Sequence, residues 1–149
     1  MTSVTRTAIS QTFEPGVDPP ALSQLRCVLV LLAATISLRA LGLQRSIALV
    51  RRFTATRPAH VGATTRLAEV VAHRIAAAAA FLPIRALCLE QSLALFWSLR
   101  SMHLDAQLVL GVQPYPFLAH AWVEYRQQAV AESFDKVASL VPILRVRAP

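Results

Sequence analysis

Three consecutive segments decide the fold: LCLEQSLALFWSLR at residues 87–100, AQLVLGV at 106–112 and FLAHAWVEY at 117–125. The first segment is rich in Ala, Leu, Glu and Gln and contains no helix breaker, which predicts a helix. The other two are short and mostly apolar, and a proline-bearing loop separates them, which predicts two antiparallel strands. Residues 126–128 are expected to form a turn, and residues 129–132 a returning strand.

The region before these segments predicts two longer helices. The proline pair at residues 19–20 is compatible with the first turn of a helix that begins at residue 21. Gly42 is expected to break or kink this helix, which then continues to residue 53. Thr64 or Thr65 is predicted to cap the second helix at its N-terminus, and Pro83 to end it.

The order of elements, helices first and a small antiparallel sheet afterwards, predicts an α+β fold. A chain of 149 residues is most simply one domain. We therefore expect a single domain over residues 1–149, with a helical half at 1–80 and a catalytic core at 81–149.

The composition excludes several classes of protein. Hydrophobic residues make up 55% of the chain and charged residues 15%, and the mean hydropathy is +0.50. These values exclude intrinsic disorder, which requires low hydrophobicity and high charge. The two cysteines, Cys27 and Cys88, are too few for a disulfide scaffold and predict a reducing, cytoplasmic setting.

The charge and the longest apolar run indicate neither nucleic acid nor a membrane span. The net charge is +7, but the arginines are dispersed, whereas a nucleic-acid binder clusters basic residues among aromatic ones. Residues 27–38 are apolar, yet a transmembrane helix needs about 20 such residues. The sequence predicts no transmembrane span and leaves a membrane-peripheral location open.

Cys88 is the candidate nucleophile. It is expected at the start of the third helix, where the helix dipole and unpaired backbone N–H groups favour the reactive thiolate. A cysteine in an apolar helix is more often a small core residue, so this position alone does not establish a catalytic role. The N–H of Cys88 is a candidate oxyanion donor, and Gln91 and Gln107 are candidates for a second donor.

His120 is the candidate base. It shares one face of its predicted strand with Trp122 and Glu124. A cysteine at a helix start followed by a histidine on a strand is the order used by papain-like and transglutaminase-like sites. There the imidazole takes the thiol proton and later protonates the leaving amine. Trp122 is a candidate wall of the substrate cleft, and core packing is the equal alternative.

Glu132 is the candidate for a third residue that orients the histidine, and Asp135 is its rival. Glu132 follows His120 by 12 residues. A three-residue turn at 126–128 makes Glu132 a diagonal same-face neighbour of His120, within reach of a long side chain. A two-residue turn would place Glu132 on the opposite face. The assignment therefore depends on the strand register.

Three motifs together resemble a known family: PIRALCLEQSLA at 83–94, LVLGV at 108–112 and AHAWVE at 119–124. Residues 82–132 closely resemble the transglutaminase-like leader peptidases of lasso-peptide biosynthesis, the B proteins. The leucine-rich, arginine-dotted region before them is similar to the N-terminal half of that family. The resemblance implies a papain/transglutaminase-like fold.

The resemblance also implies an activity and a set of residues. A protein of this family is a cysteine protease that removes the leader from a ribosomally made precursor peptide. Cys88 matches the family nucleophile, His120 its base, and Glu132 its third residue. That residue is usually Asp in the family, and the family's turn glycine is replaced here by Arg-Gln-Gln, so Asp135 stays open. The implied mechanism needs no cofactor and no metal.

The partners implied by the resemblance are the precursor's leader peptide, a separate leader-recognition protein and an ATP-dependent lasso cyclase. The recognition protein is expected to be separate because the chain is too short to include a fused one. The main alternative is a catalytically inactive transglutaminase-fold scaffold that binds a peptide or a partner. A membrane-peripheral helical protein is a third hypothesis.

Overall fold

A computed structural model of the protein describes residues 23–54, 65–82 and 87–147. Several expectations lie outside these residues. They are the helix start at the proline pair 19–20, the Thr64 cap and the helix end at Pro83.

Three α-helices form the first half of the described chain: α1 (Gln24–Thr54), α2 (Thr65–Phe81) and α3 (Cys88–Ser101). The predicted kink is confirmed, because Gly42 leaves the helical conformation with φ +75° and ψ 173°. Glycine has no Cβ and accepts this positive φ readily. Helices α1, α2 and α3 pack against one another.

The second half forms a four-stranded antiparallel sheet. Its strands are β1 (Ala106–Gln113), β2 (Leu118–Tyr125), β3 (Gln128–Ala129) and β4 (Val141–Arg147), in the spatial order β3-β2-β1-β4. A short helix, α4 (Phe134–Ala138), connects β3 to β4. Helices followed by a small antiparallel sheet confirm the predicted α+β class.

The sheet has two different faces. Leu108, Val123 and Tyr125 belong to the main core, which the sheet shares with buried residues of α1, α2 and α3. On the opposite face, Val109 and Trp122 form a smaller apolar cluster with Leu140. We call these the inner face and the outer face. His120 has the same strand parity as Trp122 and therefore lies on the outer face.

The C-terminal part of the sheet differs from expectation. The turn after β2 has two residues, since Tyr125 pairs with Gln128, so the predicted three-residue turn at 126–128 is wrong. Arg126 and Gln127 have φ values of +52° and +64°, as a type I′ hairpin turn requires. That turn normally contains Asn or Gly, and neither is present here. The predicted strand at 129–132 ends at Ala129.

Helix α1 passes a simple test for a membrane span. It is the one helix, among those of the described residues, that is long and apolar enough to cross a membrane by length and composition. The core helix of a soluble protein meets the same criterion. In this chain α1 packs on α2 and α3 and buries Cys27, Leu31 and Ala34 completely.

Candidate active site

Cys88 is the first residue of α3. No side chain caps this helix end within the described part of the chain, and the first helical hydrogen bond runs from the N–H of Gln91 to the carbonyl of Leu87. The N–H groups of the first turn therefore point forward without helical partners, at the positive end of the helix dipole. Cys88 is partly exposed, whereas Cys27 is fully buried.

A side-chain hydrogen bond connects the N-terminal half of α3 to β2. The Ser92 hydroxyl donates to the carbonyl of Ala121 over 2.8 Å, and both residues are buried. Ser92 lies one helical turn after Cys88 on the same face of α3, and Ala121 adjoins His120 in sequence. The contact is possible because β3 pairs only with Glu124 and Tyr125, which leaves the neighbouring edge of β2 open. The N-terminal half of α3 therefore contacts β2 at the residue that follows His120.

His120 and Glu132 form the central contact of the site. The imidazole Nε2 and the carboxylate Oε1 of Glu132 are 2.8 Å apart, and their side chains are 10% and 21% exposed. Glu132 accepts a hydrogen bond from the Nε2–H group, so the ring's other nitrogen, Nδ1, is the one left to accept a proton from a thiol. Among the residues the structure describes, Nδ1 has no hydrogen-bond partner.

The contact between His120 and Glu132 was expected, but it forms in a different strand register from the one expected. In the observed register Val130 follows the ladder and donates its N–H to the carbonyl of Val123 over 2.9 Å. A continued strand would place Glu132 on the inner face, as the sequence argument stated. Ala131 instead adopts a left-handed conformation with φ +55°, which ends the strand and turns Glu132 toward His120. Asp135 lies exposed on α4, and the hydrogen bond to His120 comes from Glu132.

Lys136 holds the second oxygen of Glu132. Its ammonium donates to Oε2 over 2.8 Å, from a position four residues further along the chain. Partial burial alone raises the pKa of Glu132. The hydrogen bonds and positive charges of Lys136 and His120 outweigh burial, and the pKa lies below its ordinary value of 4.5. Glu132 is therefore an anion at neutral pH. Lys136 was not identified from the sequence, although its spacing of four residues from Glu132 could be read there.

The candidate cleft residue Trp122 and the candidate oxyanion donors Gln91 and Gln107 lie in three different places. Trp122 is 2% exposed and packs in the outer cluster, and a contact with substrate stays a prediction. Gln107 lies opposite Glu124, whereas His120 lies opposite Gly111, so Gln107 is remote from the site. Gln91 is one turn into α3, next to Ser92. It lines a pocket of about 110 Å³ beside the site.

This pocket lies between α2 and the edge of the sheet. Alanine and isoleucine side chains of α2 form one wall, α3 forms a second, and the turn that ends in Glu132 forms a third. Polar and apolar groups both line it, and Glu132 contributes a carboxylate to the lining. Among the residues the structure describes, no group of three or more His, Cys, Asp or Glu side chains is placed to hold a metal ion.

Cys27 differs from Cys88 in its burial. Burial raises the pKa of the Cys27 thiol, while the nearby Arg74 and Arg26 act in the opposite direction and only partly offset it. A protonated, fully buried thiol is a poor nucleophile. Cys27 therefore serves as an internal reference for the reactivity of Cys88.

Comparison with known proteins identifies two similarities. The model of the transglutaminase-like superfamily matches residues 28–145, which includes Cys88, His120 and Glu132. The microcin J25-processing protein McjB of Escherichia coli is 44% identical over 46 residues. That segment is 31% of this chain, and it spans 22% of the length of McjB. No solved structure matches the chain.

Proposed function

The chain belongs to the transglutaminase-like superfamily, and from this premise we propose that it is a cysteine protease that removes the leader from a lasso-peptide precursor. Cys88 is the nucleophile, His120 the general base and acid, and Glu132 the residue that orients His120. The reaction requires no cofactor.

The geometry of His120 is the observation that carries the proposal. Glu132 accepts a hydrogen bond from the Nε2–H group and fixes the tautomer in which Nδ1 has a free lone pair. Glu132 is also ionised, so it stabilises the imidazolium that forms when His120 takes a proton. The Ser92–Ala121 bond supports the pairing with Cys88, because it ties α3 one turn after Cys88 to the residue that follows His120.

The first half of the reaction forms a thioester. The Cys88 thiol transfers its proton to Nδ1 of His120, and Sγ attacks the carbonyl carbon of the scissile peptide bond. The carbonyl oxygen becomes an oxyanion, which the unpaired N–H groups at the start of α3 stabilise. When the intermediate collapses, the C–N bond breaks and the imidazolium gives its proton to the departing amine.

The second half releases the leader. Water attacks the thioester carbonyl while His120 takes one of its protons, and a second oxyanion forms at the same N–H groups. The C–S bond then breaks, the leader leaves with a new carboxylate, and His120 returns the proton to Cys88. The other product has a free α-amine, the group that a macrolactam-forming cyclase requires.

The proposed substrate and partners follow from the similarity to a lasso-peptide processing protein and from the three sequence motifs. The substrate is the precursor's leader peptide, presented by a separate leader-recognition protein, and an ATP-dependent lasso cyclase uses the product. We place the reaction in the cytoplasm, where thiols stay reduced, with association at a membrane surface as the alternative.

The test is cleavage of a precursor peptide by the purified protein together with its leader-recognition partner, followed by mass spectrometry. We expect two products in the wild type and none with Cys88→Ala, because only the thiol is removed. Cys27→Ala is the matched control and is expected to cleave, provided circular dichroism shows that it folds. Cleavage by Cys88→Ala would contradict the assignment, and a wild type that binds the peptide without cleaving it would favour the inactive scaffold.

A further inference from the structure

The outer face of β2 carries a chain of polar contacts behind the histidine. The indole N–H of Trp122 donates to Oε1 of Glu124 over 3.1 Å. The guanidinium of Arg145, on β4, donates to the other oxygen of Glu124. The side chain of Glu124 is only 12% exposed. Arg145 therefore compensates the charge of a largely buried carboxylate that has a defined partner on each oxygen.

Trp122 connects these polar contacts to His120, because its indole ring is stacked with the imidazole. The two rings are stacked, with their centroids 6.2 Å apart and an angle of 16° between their planes. The indole lies so close to β1 that a Cβ atom on Gly111 would be 2.7 Å from its Cη2 atom. Gly111 is the residue directly opposite His120 on β1. The missing side chain of Gly111 thus makes the space that the indole occupies.

These contacts restrict the imidazole in a direction that Glu132 does not. The hydrogen bond to Glu132 lies in the plane of the ring and fixes its edge, but it permits tilting about the Nε2–Oε1 axis. The indole is nearly parallel to the imidazole, with the ring centroids 6.2 Å apart, and limits the space into which the imidazole can tilt. Nδ1 then keeps one direction. The bond to Glu124 in turn fixes the indole, because a buried N–H that lost its acceptor would favour another orientation.

We propose that Glu124, held by Arg145, is a positioning residue that acts through Trp122 to aim His120 at Cys88. This inference rests on the proposed function, since it takes His120 as the base of Cys88. It gives a common purpose to the glycine of LVLGV and to the tryptophan and glutamate of AHAWVE. Neither Glu124 nor Arg145 touches the reacting atoms.

The test measures the rate at which iodoacetamide alkylates Cys88 as a function of pH, with mass spectrometry to separate Cys88 from Cys27. The readout requires no peptide substrate. Wild type is compared with Glu124→Ala, Glu124→Gln, Trp122→Phe and the double variant Trp122→Phe/Glu124→Ala. Asp105→Ala is the matched control, because Asp105 forms an ion pair with Arg100 near the same end of the sheet. Thermal unfolding shows that each variant is folded at the temperature of the assay.

We expect Glu124→Ala to lower the alkylation rate of Cys88 below neutral pH by about tenfold and to move its rise to higher pH. Trp122→Phe keeps a ring but removes the N–H, and a similar effect is expected. The double variant is expected within about twofold of the slower single variant, because both changes break one linkage. Glu124→Gln keeps an oxygen acceptor and is expected to retain most of the rate, and Asp105→Ala all of it.

Unchanged alkylation in folded Glu124→Ala, or losses that multiply in the double variant, would overturn the inference alone. If Glu124→Gln is as slow as Glu124→Ala, the acceptor for the indole is not what matters, and the inference is likewise wrong. A wild-type Cys88 that reacts no faster than Cys27 would reject the proposed function itself. The two failures are thus distinguishable.

Discussion

The two faces of strand β2 are built from alternate residues of one short sequence, yet they have different tasks. On the inner face Ala121, Val123 and Tyr125 are at most 4% exposed and pack toward the helices. On the outer face His120, Trp122 and Glu124 form hydrogen bonds to Glu132 and Arg145 and a ring stack. One strand thus separates the residues that pack in the core from those to which we assign the proposed chemistry and its positioning. Changes on the two faces should have separable effects.

The largest expected effect on activity comes from His120 on the outer face. His120→Ala removes the proton acceptor of Cys88, and we expect leader cleavage to slow by several orders of magnitude, about as much as other losses of a base from a nucleophile–base pair. The measurement is the single-turnover cleavage rate at saturating enzyme. Retention of more than about a tenth of the rate, equivalent to under roughly 1.4 kcal/mol, would show that His120 is not the base.

The next largest effect is expected from Glu132. Glu132→Gln keeps the size of the side chain but loses the charge that stabilises the imidazolium, and it permits the wrong tautomer. The comparable change in a serine protease costs about 10⁴ in rate. Asp135→Asn is the matched control on the exposed α4 and should cleave nearly as fast as wild type. The same cleavage assay decides, and a larger loss in Asp135→Asn would mean that the turn at Ala131 differs in solution.

A smaller effect is expected from Lys136, and it depends on pH. The pKa of Glu132 is lowered in the folded protein, so its ion pairs stabilise the fold above the ordinary pKa of 4.5, and this contribution is lost as the pH falls through the lowered value. Lys136→Met removes part of it. We expect a loss of roughly 0.2–1 kcal/mol in the free energy of unfolding near neutral pH, because the lysine is partly exposed.

The matching control for Lys136→Met is the same unfolding measurement at acidic pH. When Glu132 is protonated in both folded and unfolded protein, Lys136→Met and wild type should have the same free energy of unfolding by urea titration. A difference that persists or grows in acid would indicate that Lys136 acts through some other contact. Cleavage should fall only a few-fold, since His120 still binds Oε1 of Glu132.

The inner face should show the least effect on activity and a large effect on stability. Leu108 is fully buried on β1 among residues of the main core. Leu108→Ala leaves a cavity and is expected to lower the free energy of unfolding by about 2–5 kcal/mol. Below the melting temperature of the variant, iodoacetamide should alkylate Cys88 in the folded Leu108→Ala protein at the wild-type rate. A rate that falls with the stability would contradict the separation of the two faces.

The sequence predicted the helices, the kink at Gly42 and the first two strands, because these elements have clear periodicity or an unambiguous breaker. It did not predict α4 and β4. Pro142 argues against a strand in this segment, although a proline is tolerated on an edge strand such as β4. The residues after it alternate as a strand should: Leu144, Arg145, Val146 and Arg147. Without β4, the pairing of Arg145 with Glu124 was not predictable.

The geometry at Glu132 was predicted for an incorrect reason. The sequence indicated the proximity of Glu132 to His120 from a register that the structure does not have. The actual turn, Arg126-Gln127, lacks the residues that usually accept positive φ, and a second positive φ at Ala131 restores the contact. Single residues in left-handed conformations have weak sequence signals unless they are Gly, Asn or Asp. Such residues decide the position of Glu132.

The central claim is that the outer face of β2 activates Cys88, and the most direct measurement compares the two cysteines within one molecule. Folded protein is treated with limiting iodoacetamide at about pH 6.5, where an ordinary thiol is almost fully protonated. The fractions of alkylated Cys88 and Cys27 are then determined by mass spectrometry, for wild type and for His120→Ala. The proposed activation predicts that Cys88 is labelled at least about a hundredfold faster than Cys27 in the wild type and loses most of this advantage without His120. Equal labelling of the two cysteines, or rapid labelling of Cys88 that survives His120→Ala, would contradict it.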